Sequence, residues 1–389
     1  MKRTRLLQEL RKMRFESVYE DWKIRKLTQF EAAQLLGVCD RTFRRYIDKY
    51  ESAGMEGLSD RRIDRASHRC APVDEVCKLE KQYRRGFMGW NVKHFYGRYK
   101  KDGGNRSYTW VKSRLQQARL VKKSKGKGKH RKRRVRSALP GMMIHQDGST
   151  HQWVPDKYWD LIVTMDDATS EHYSMFFVEQ EGTISSFRGV AEVIETYGLF
   201  CSFYSDRGSH YWHTPEAGGK VDKVHLTQFG QALQQLSINQ IAAYSPEARG
   251  RSERVFRTHQ DRLLKELAKA GITDMEEANR YIQESYLPEY NKEFMVKSAE
   301  EGTAFIPYQR GDLFEVLCER YDRVVGKDNC VQFEGKILQI PANKYRMNYI
   351  KVRVQVRRYL DGSMGIYHGP RLLSTYDSLG ILMKNECAA

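Results

Sequence analysis

Hydrophobic residues near the N-terminus recur at the spacing of two short helices joined by a tight turn. The letters TQFE at 28–31 match a capping box, and apolar residues over 32–36 follow at helical spacing. Gly37 stands where a turn between two crossing helices needs a residue that tolerates positive φ. A second helix is predicted over 40–50, with Phe43 on its inner side. The pattern therefore predicts a helix-turn-helix.

The outward side of this second helix carries side chains of the kind that bind DNA. A recognition helix presents hydrogen-bond donors to phosphates and base edges from its N-terminal part. The residues placed there are Arg41, Thr42, Arg44 and Arg45. An ordinary basic helical hairpin is the alternative, and the agreement of cap, turn and charge favours DNA binding.

A second helical unit is predicted after residue 70. Helical spacing recurs over 73–83, 91–99 and 107–120, and the letters KKDGG at 100–104 supply a turn before the third helix. The residues that would face DNA from the third helix are Ser107, Thr109, Lys112 and Arg114.

From about residue 141, strand-like and helix-like segments follow one another. Strands are predicted at 142–147, 161–165, 173–178, 200–204 and 241–244, and helices at 184–197, 228–236 and 248–268. Three strands followed by alternating helices and strands predict a mixed sheet with helices on its faces.

After residue 270 the pattern predicts one helix over 274–290 and then short strands. These strands lie at 338–340, 349–356 and 365–368, with Asp361-Gly362 as a hairpin turn. We therefore expect a multidomain α+β protein that ends in a small β-barrel. The expected domains are 1–60 and 61–121 (two helical DNA-binding domains), 122–140 (a basic linker), 141–270 (the α/β core), 271–305 (a helical connector) and 306–389 (the barrel).

The charge of the chain is large and unevenly placed. The 389 residues carry 67 Lys and Arg against 49 Asp and Glu, a formal net charge of +18 at pH 7. Residues 1–141 hold 39 basic and 15 acidic side chains, whereas 142–389 hold 28 and 34. A basic front half joined to a mildly acidic back half indicates a nucleic-acid-binding part attached to something else.

Other bulk properties narrow the class of protein. A hydrophobic content of 40% excludes wholesale disorder, and a mean hydropathy of −0.70 without a long apolar run predicts no membrane span. The first residues lack a signal-peptide pattern, and the seven cysteines include no CxxC pair. The expected compartment is therefore the cytoplasm.

A strongly basic run lies between the helical units and the predicted core. Residues 122–136 contain ten Lys or Arg and no acid. Such a run repels itself and does not pack, so it predicts a flexible linker that lies along phosphates. A nuclear-localisation signal is the less favoured alternative. The residues expected to contact DNA here are Lys127, Lys129, Arg131, Arg133 and Arg134.

Three acids stand where the predicted core would bring them together. Asp147 is predicted to end the first core strand, Asp206 to end a later strand, and Glu253 to lie one turn into the long helix. Converging carboxylates repel one another unless cations lie between them, and Mg²⁺ or Mn²⁺ prefers such oxygen ligands. Two ions can activate a water or a 3′-hydroxyl and stabilise the leaving oxygen of a phosphodiester. Arg249 and Arg257 share the helix face of Glu253 and are expected to hold phosphates.

Each acid taken alone is more typical of an ordinary surface acid, so the sequence around all three matters. The letters YSPEARGRSER at 244–254 match the pattern SP-x-x-x-G-x-x-ER, and IHQDGS at 144–149 and FYSDRGS at 203–209 match two Asp-bearing strand ends. On these blocks the chain resembles insertion-sequence transposases of the DDE superfamily, which share their core with retroviral integrases, and is most similar to the ISNCY group. The resemblance extends to TQFEAAQLLGVCDRTFRRYIDKY at 28–50 and YDRVVGKDNCVQFEGKILQI at 321–340. It implies an RNase H-like catalytic core whose metal-binding triad is Asp147, Asp206 and Glu253.

The chain departs from the integrases in the interval between Asp206 and Glu253, which is longer at 46 residues. The extra part, His210–Lys223, is predicted to be a loop or hairpin that touches DNA. Asp166 and Asp167 form a rival acid pair, which we expect to order the sheet edge or the adjoining turn instead. The central histidines lack cysteine partners and finger spacing, which argues against zinc.

The resemblance implies a DNA transposase that uses two Mg²⁺ or Mn²⁺ ions per active site. It would bind the terminal inverted repeats of a mobile element as double-stranded DNA, cut the donor to expose 3′-hydroxyls, and join them to target DNA. We expect at least a dimer in the synaptic complex and a nucleoid-associated protein of the bacterial cytoplasm. The alternatives are a non-catalytic DNA-binding regulator derived from a transposase, or a plain metal-dependent nuclease. The C-terminal residues expected to contact DNA or a partner subunit are Lys351, Arg353, Arg357 and Arg358.

Overall fold

The computed structural model describes residues 2–60, 71–123, 135–215, 219–244, 250, 252–309, 311–342 and 346–383. The chain packs into two compact units, Met1–Lys81 and Gln82–Ala389. Among the described helices, none has the length and apolar character that a bilayer-spanning segment requires.

The helix-turn-helix predicted near the N-terminus is confirmed in the smaller unit. Helix α2 (Gln29–Leu35) begins at the predicted capping box, in which the Glu31 amide donates to the Thr28 hydroxyl at 3.3 Å and the Thr28 amide donates to the Glu31 carboxylate at 2.8 Å. Gly37 in the turn has a φ of +67°. Helix α3 (Asp40–Gly57) follows the turn and is broken at Gly54, where φ is +59°.

A long first helix, α1 (Lys2–Lys23), completes the core of this unit and was not predicted from the sequence. Its apolar residues lie on two sides. Phe15 and Tyr19 are buried against α3, whereas Leu10 and Met13 are exposed. A helix with apolar residues on both sides gives no single hydrophobic stripe, which is the signal that identifies an amphipathic helix.

The helices predicted after residue 70 are also present. They are α4 (Val73–Gly86), α5 (Val92–Lys101) and α6 (Tyr108–Gln117). The end of α4 and the two following helices belong to the larger unit, where Tyr83, Phe87 and Phe95 stack edge to face with centroids 5.0 and 5.1 Å apart. This small aromatic core packs the end of α4 and the adjoining Phe87 against α5.

A mixed five-stranded sheet forms the centre of the larger unit, as predicted. The strand order is β3-β2-β1-β4-β5. Strand β2 is antiparallel to β1 and β3, whereas β4 is parallel to β1 and β5. The strands are β1 (Ile144–Val154), β2 (Lys157–Asp166), β3 (His172–Val178), β4 (Ser202–Ser205) and β5 (Asn239–Ala242).

Helices cover both faces of this sheet. Helices α7 (Thr183–Tyr197) and α8 (Gln228–Gln235) bury their apolar sides in one cluster, and α9 (Ser252–Ala270) buries its apolar side in the other. The helix predicted over 274–290 packs on this second side of the sheet, but it is not a continuous α-helix. It consists of α10 (Met275–Tyr281), a π-helical turn (Ile282–Tyr286) and α11 (Leu287–Phe294).

The C-terminal part is rich in strands, but the predicted closed β-barrel is not formed by the strand pairs of the described residues. Five strands pair in the open order β12-β11-β10-β9-β6, and β7 and β8 pair only with each other. Apolar residues from both layers form one cluster, so the core is buried without ring closure. The turn at Asp361-Gly362 joins β9 to β10 as predicted. The strands are β6 (Glu319–Val324), β7 (Cys330–Phe333), β8 (Lys336–Gln339), β9 (Arg353–Arg358), β10 (Met364–His368), β11 (Arg371–Tyr376) and β12 (Leu382–Met383), preceded by a 3₁₀ turn at Leu313–Glu315.

Candidate active site

Asp147 lies inside strand β1, which corrects the prediction that it ends this strand. Pairing with β2 continues as far as Val154, because the two strands form one long hairpin. Pairing with β4 involves only Ile144 and His145 of β1. Asp147 therefore stands just beyond the point where β4 ends, where the sheet opens on that side.

Asp206 follows β4 directly, as predicted, and β4 is the strand next to β1. His145 of β1 is paired in register with Tyr204 of β4, and their rings are 4.7 Å apart. Asp147 and Asp206 each come two residues later. If the register continues past this pair, both carboxylates lie at the same end of the β1–β4 pair.

The pKa of a buried tyrosine is affected by the carboxylates near this end of the strands. The hydroxyl of Tyr211 is fully buried, and its pKa is raised well above its usual value by burial and by the negative charges of Glu181, Asp147 and Asp206. The hydroxyl donates to Gln146 Oε1 at 3.0 Å. Three carboxylates therefore lie near one neutral phenol.

Glu181 and His210 also lie close to Tyr211; the sequence did not point to Glu181, and it singled out His210 only as the start of the extra segment. Glu181 Oε1 lies 3.4 Å from His210 Nε2 and 3.5 Å from the Tyr211 hydroxyl. A Cβ atom at Gly148 would lie 2.2 Å from Glu181 Oε2, so the carboxylate occupies the space that a side chain after Asp147 would need. This glycine was the available signal, because it marks a close approach to the backbone.

Glu253 lies in the first turn of α9 and is exposed. On the same helix, Gln260 donates to the Ser149 hydroxyl at 3.1 Å, and Ser149 faces the same side of β1 as Asp147. Seven residues are two helical turns, so Glu253 shares the helix face of Gln260. Even so, the described residues contain no group of three His, Cys, Asp or Glu side chains placed to hold a metal ion. The register of β1 and β4 favours a position of Asp147 close to Asp206, and the three-residue metal site with Glu253 stays a prediction.

The donor set at the sheet edge fits a hard divalent cation. Mg²⁺ is commonly held by one or two carboxylates, with water and substrate phosphates as its other ligands. Asp147 and Asp206 supply two such carboxylates, and Asp206 Oδ1 also accepts from the Gly208 amide at 2.8 Å, which fixes its orientation. The pair therefore fits one ion, and a second ion would require a further ligand.

The rival acids Asp166 and Asp167 have the structural role that we expected. Asp166 accepts from the Gly141 amide at 2.9 Å and the Thr169 amide at 2.8 Å, which ties the turn after β2. Asp167 accepts from the Ser137 amide and from His145 Nε2, both at 2.8 Å. Their oxygens are thus used inside the fold.

The segment His210–Lys223 has no helix or strand in its described residues, in keeping with the predicted loop. Tyr211, Trp212 and Val221 are nevertheless buried and join the core beneath α7 and α8. The segment is therefore part of the core packing beside the acid pair.

The predicted DNA contacts on the two helical parts lie mostly at the surface. Arg41, Arg44 and Arg45 are exposed on α3, and Thr42 is half-buried with its hydroxyl 3.2 Å from Cys39 Sγ. On α6, Thr109 is exposed, Ser107 caps the helix by accepting from the Trp110 amide, and Lys112 is half-buried. Arg114 lies over the Trp110 ring at 5.7 Å and donates to Gln117 at 2.9 Å.

The remaining predicted contacts divide into three groups. Arg257 on α9, Lys351 and Arg353 are exposed. In contrast, Arg357 bonds Glu315, and Arg358 bonds Glu319 and Glu334, so these two guanidinium groups are engaged within the C-terminal part. The following lie outside the described residues: Lys127, Lys129, Arg131, Arg133, Arg134 and Arg249.

Sequence comparison finds a helix-turn-helix family and transposase relatives. Residues 18–76 match the winged helix-turn helix family. Over 353 residues the chain is 27% identical to Putative transposase y4bF of Sinorhizobium fredii, covering 88% of this chain and 75% of the relative. Over 250 residues it is 28% identical to the transposase for insertion sequence IS1202 of Streptococcus pneumoniae, covering 62% of this chain and 53% of that relative.

Structural comparison finds retroviral integrases at low similarity. A chain of the simian T-cell lymphotropic virus intasome in complex with PP2A regulatory subunit B56 gamma is 13% identical, with a TM-score of 0.34, covering 73% of this chain and 93% of that chain. The HTLV-2 integrase catalytic core domain in complex with magnesium is 14% identical, with a TM-score of 0.31, covering 42% of this chain and 93% of that one. At TM-scores this low, the structural similarity to the integrases carries no argument beyond the strand order described above. By sequence, the chain is similar to transposases, including one of an insertion sequence, and this similarity agrees with the resemblance indicated by the blocks around its acids.

Proposed function

We propose that the chain is a DNA transposase of the DDE type with an RNase H-like core, whose reacting centre is at Asp147 and Asp206. The observation that carries this proposal is the register of β1 and β4. This register supports the proposal, because its continuation would bring Asp147 and Asp206 close together, and Gln260 of α9 bonds Ser149 on the Asp147 side of β1. The similarity to transposases over most of the chain supports the same activity.

Asp147 and Asp206 would hold Mg²⁺ or Mn²⁺, and Glu253 would complete the ligand set. When bound, such an ion lowers the pKa of a bound water and offsets the charge of the reacting phosphate. The count of two ions per site depends on Glu253 and is part of the proposal.

The surrounding side chains keep this edge in one arrangement. Tyr211 is anchored to Gln146 and so holds the segment after Asp206 against the core. The Gly208 amide orients the Asp206 carboxylate. Preorganised groups of this kind lower the cost of reaching a reactive geometry.

The reaction would occur in two displacements at phosphorus. Water attacks a phosphodiester at the element end, the bond to the 3′-oxygen breaks, and that oxygen takes a proton to become a 3′-hydroxyl. The hydroxyl then loses its proton and attacks a target phosphodiester, so one phosphorus–oxygen bond forms as another breaks. No bond between protein and DNA is required.

Double-stranded DNA is the proposed partner, through the exposed arginines of α3 and the exposed face of α6. The terminal inverted repeats would be bound there, and target DNA would approach the acid pair. Two ends must be held together for joining, so we propose at least a dimer in the synaptic complex. Action on DNA fits the nucleoid of a bacterial cytoplasm.

The test is a cleavage and strand-transfer assay with labelled inverted-repeat DNA and Mn²⁺. Asp147→Asn, Asp206→Asn and Glu253→Gln each remove a proposed ligand, so we expect cleavage and joining to fall by about 10³-fold or more while DNA binding is retained. Asp322→Asn and Glu284→Gln, at exposed acids, are the matched controls and should keep activity.

The same assay decides between the alternatives. Cleavage without any joined product would favour a plain nuclease. Binding without cleavage in the wild type would favour a non-catalytic regulator. Full activity in Asp147→Asn or Asp206→Asn would refute the proposed reacting centre.

A further inference from the structure

One buried carboxylate joins the helices that precede the basic run to the helix on the central sheet. Glu266 of α9 is only 5% exposed. It lies 2.6 Å from His94 Nε2 of α5, accepts from Arg98 of the same helix, and accepts from the Tyr281 hydroxyl of α10 at 3.3 Å. Side chains from three helices therefore meet at this one group.

Glu266 is ionised in this cluster. Burial by itself would raise its pKa, but hydrogen bonds from His94 and Arg98 outweigh burial and lower the pKa to about 2. Burial lowers the pKa of His94, whereas the neighbouring Glu266 carboxylate raises it, and the effect of burial is the larger. The His94 Nδ1 atom has no hydrogen-bond partner among the described residues.

Further polar contacts follow the same boundary. The Asn91 side chain, at the start of α5, bonds Asp261 of α9, and Lys101, at its end, bonds Glu289 of α11. Lys269 of α9 lies 4.0 Å above the ring of Phe87. Contacts therefore hold α5 at both ends and in the middle. Hydrogen bonds are directional, so this set of contacts favours a single position of α5 on α9 and α11. Apolar contacts alone would allow the helices to slide past one another.

Helix α9 also makes contacts with the edge that carries the acid pair. Gln260 bonds Ser149 of β1, and Glu253 stands in the first turn, thirteen residues or roughly 20 Å before Glu266 along the axis. Helix α6 packs on α5 through Val111 and Leu115, which are fully buried. The exposed face of α6 is thus connected to the acid pair through a continuous set of packed elements.

We propose that Glu266 is a positioning residue which, with His94 and Arg98, fixes the α5–α6 helices on the catalytic sheet, so that DNA held by α6 reaches Asp147 and Asp206 at one defined phosphodiester. This inference rests on the proposed function. It adds that the place of cutting is set by a buried ionic contact far from the reacting atoms.

The first test compares full-length Glu266→Gln with the wild type, using inverted-repeat DNA. The change keeps the size of the side chain and removes its charge. We expect unchanged binding, cleavage slowed by about 10- to 100-fold, and cuts spread over neighbouring phosphodiesters, because small misplacements of substrate are costly. A purely structural role would slow all cuts equally without spreading them. Cleavage at the single wild-type position would overturn the proposal.

The second test uses an exposed contact, so that folding is not at risk. The Lys101 and Glu289 side chains are 47% and 53% exposed. Glu289→Lys should spread the cuts, and the double swap with Lys101→Glu should restore the single position. Glu284→Lys, at an exposed acid of the neighbouring π-helical turn, is the control. Failure of the double swap to restore what Glu289→Lys disturbs would count against the proposal.

A third measurement does not depend on cleavage, so it separates this inference from the proposed function. Hydroxyl-radical footprints on uncleaved DNA report where the protein lies, and hydrogen exchange reports the protection of the α5 amides. In Glu266→Gln we expect faster exchange in Val92–Lys101 and a blurred footprint near the element end. Unchanged exchange and footprint would overturn the proposal even if the wild type cut DNA, whereas a changed footprint in a protein that never cuts would retain the positioning role and refute only the enzymatic function.

Discussion

The two helical parts of the chain that are expected to bind DNA are held in different ways. The front helices share an aromatic core of their own, in which Phe15 stacks on Tyr19 at 5.8 Å and Tyr19 meets Tyr50 edge to face at 4.9 Å. Helices α5 and α6 have a smaller aromatic core and depend on charged contacts with α9 around Glu266.

The difference follows from size. Helices of ten residues are marginal by themselves and bury little apolar surface when only two pack together. The front part gains a third, 22-residue helix and closes its own core. The second part instead completes its packing on α9 of the larger unit, which gives it a fixed place there. We therefore expect the front part to unfold independently and the second part to unfold with the sheet.

The largest expected effect comes from removing a core ring in each part. Phe43→Ala should lower the free energy of unfolding of the front helices by about 3–5 kcal/mol, because a fully buried phenylalanine leaves a cavity. Phe95→Ala should lower the free energy of unfolding by a similar amount, but in the larger unit, which contains the sheet. Hydrogen exchange resolved by segment is the measurement.

Phe30→Ala, at a side chain that is 65% exposed, is the control and should change stability by about 0.5 kcal/mol or less. If Phe43→Ala accelerated exchange in the central sheet as strongly as in the front helices, the two parts would not be independent and the comparison would fail.

The second-largest expected effect is a loss of stability at acidic pH, which should occur in the larger unit and not in the front helices. His172 and His259 are buried in the larger unit with their Nε2 atoms 3.0 Å apart, and burial lowers the pKa of His172 to about 4. Between pH 6.5 and 4, His172 binds a proton in the unfolded chain but not in the folded one. The free energy of unfolding therefore decreases as the pH is lowered through this interval. The loss is about 2 kcal/mol by pH 5 from His172 alone. Chemical denaturation at pH 7.5 and pH 5 measures it.

Residues 1–60 contain no histidine, so the front helices should keep their stability over this interval. His225→Gln, at a side chain that is 82% exposed, should leave the pH dependence unchanged. An equal loss in both parts would show that the buried histidines are not its source.

The smallest expected effect comes from the helix caps. Thr28 caps α2 and Ser107 caps α6 by the same contact, so Thr28→Ala and Ser107→Ala should each cost about 1 kcal/mol. The cost should appear as faster exchange in α2 for the first variant and in α6 for the second. Ser113→Ala, at an exposed position of α6, is the control. Exchange that rises in both parts after either change would contradict their separation.

The sequence allowed local features to be predicted because their causes lie within a few residues. The capping box at Thr28, the positive φ of Gly37 and the hairpin at Asp361-Gly362 all depend on immediate neighbours. The mixed sheet was predicted for the same reason, since each strand has its own pattern. The length of β1 was underestimated, because pairing with β2 extends the strand through the polar residues after Asp147.

By itself, then, the sequence indicated most of the helices and the strands of the central sheet, which acids stand in transposase-like blocks, and that the front half is basic. Only the tertiary structure decided that β4 pairs with β1 next to Asp147, that Glu181 lies against Gly148, and that Glu266 is buried among partners from α5. These contacts join residues far apart in the chain. They depend on strand register and helix packing, which minimise the free energy of the whole unit, so the local sequence does not identify the partners.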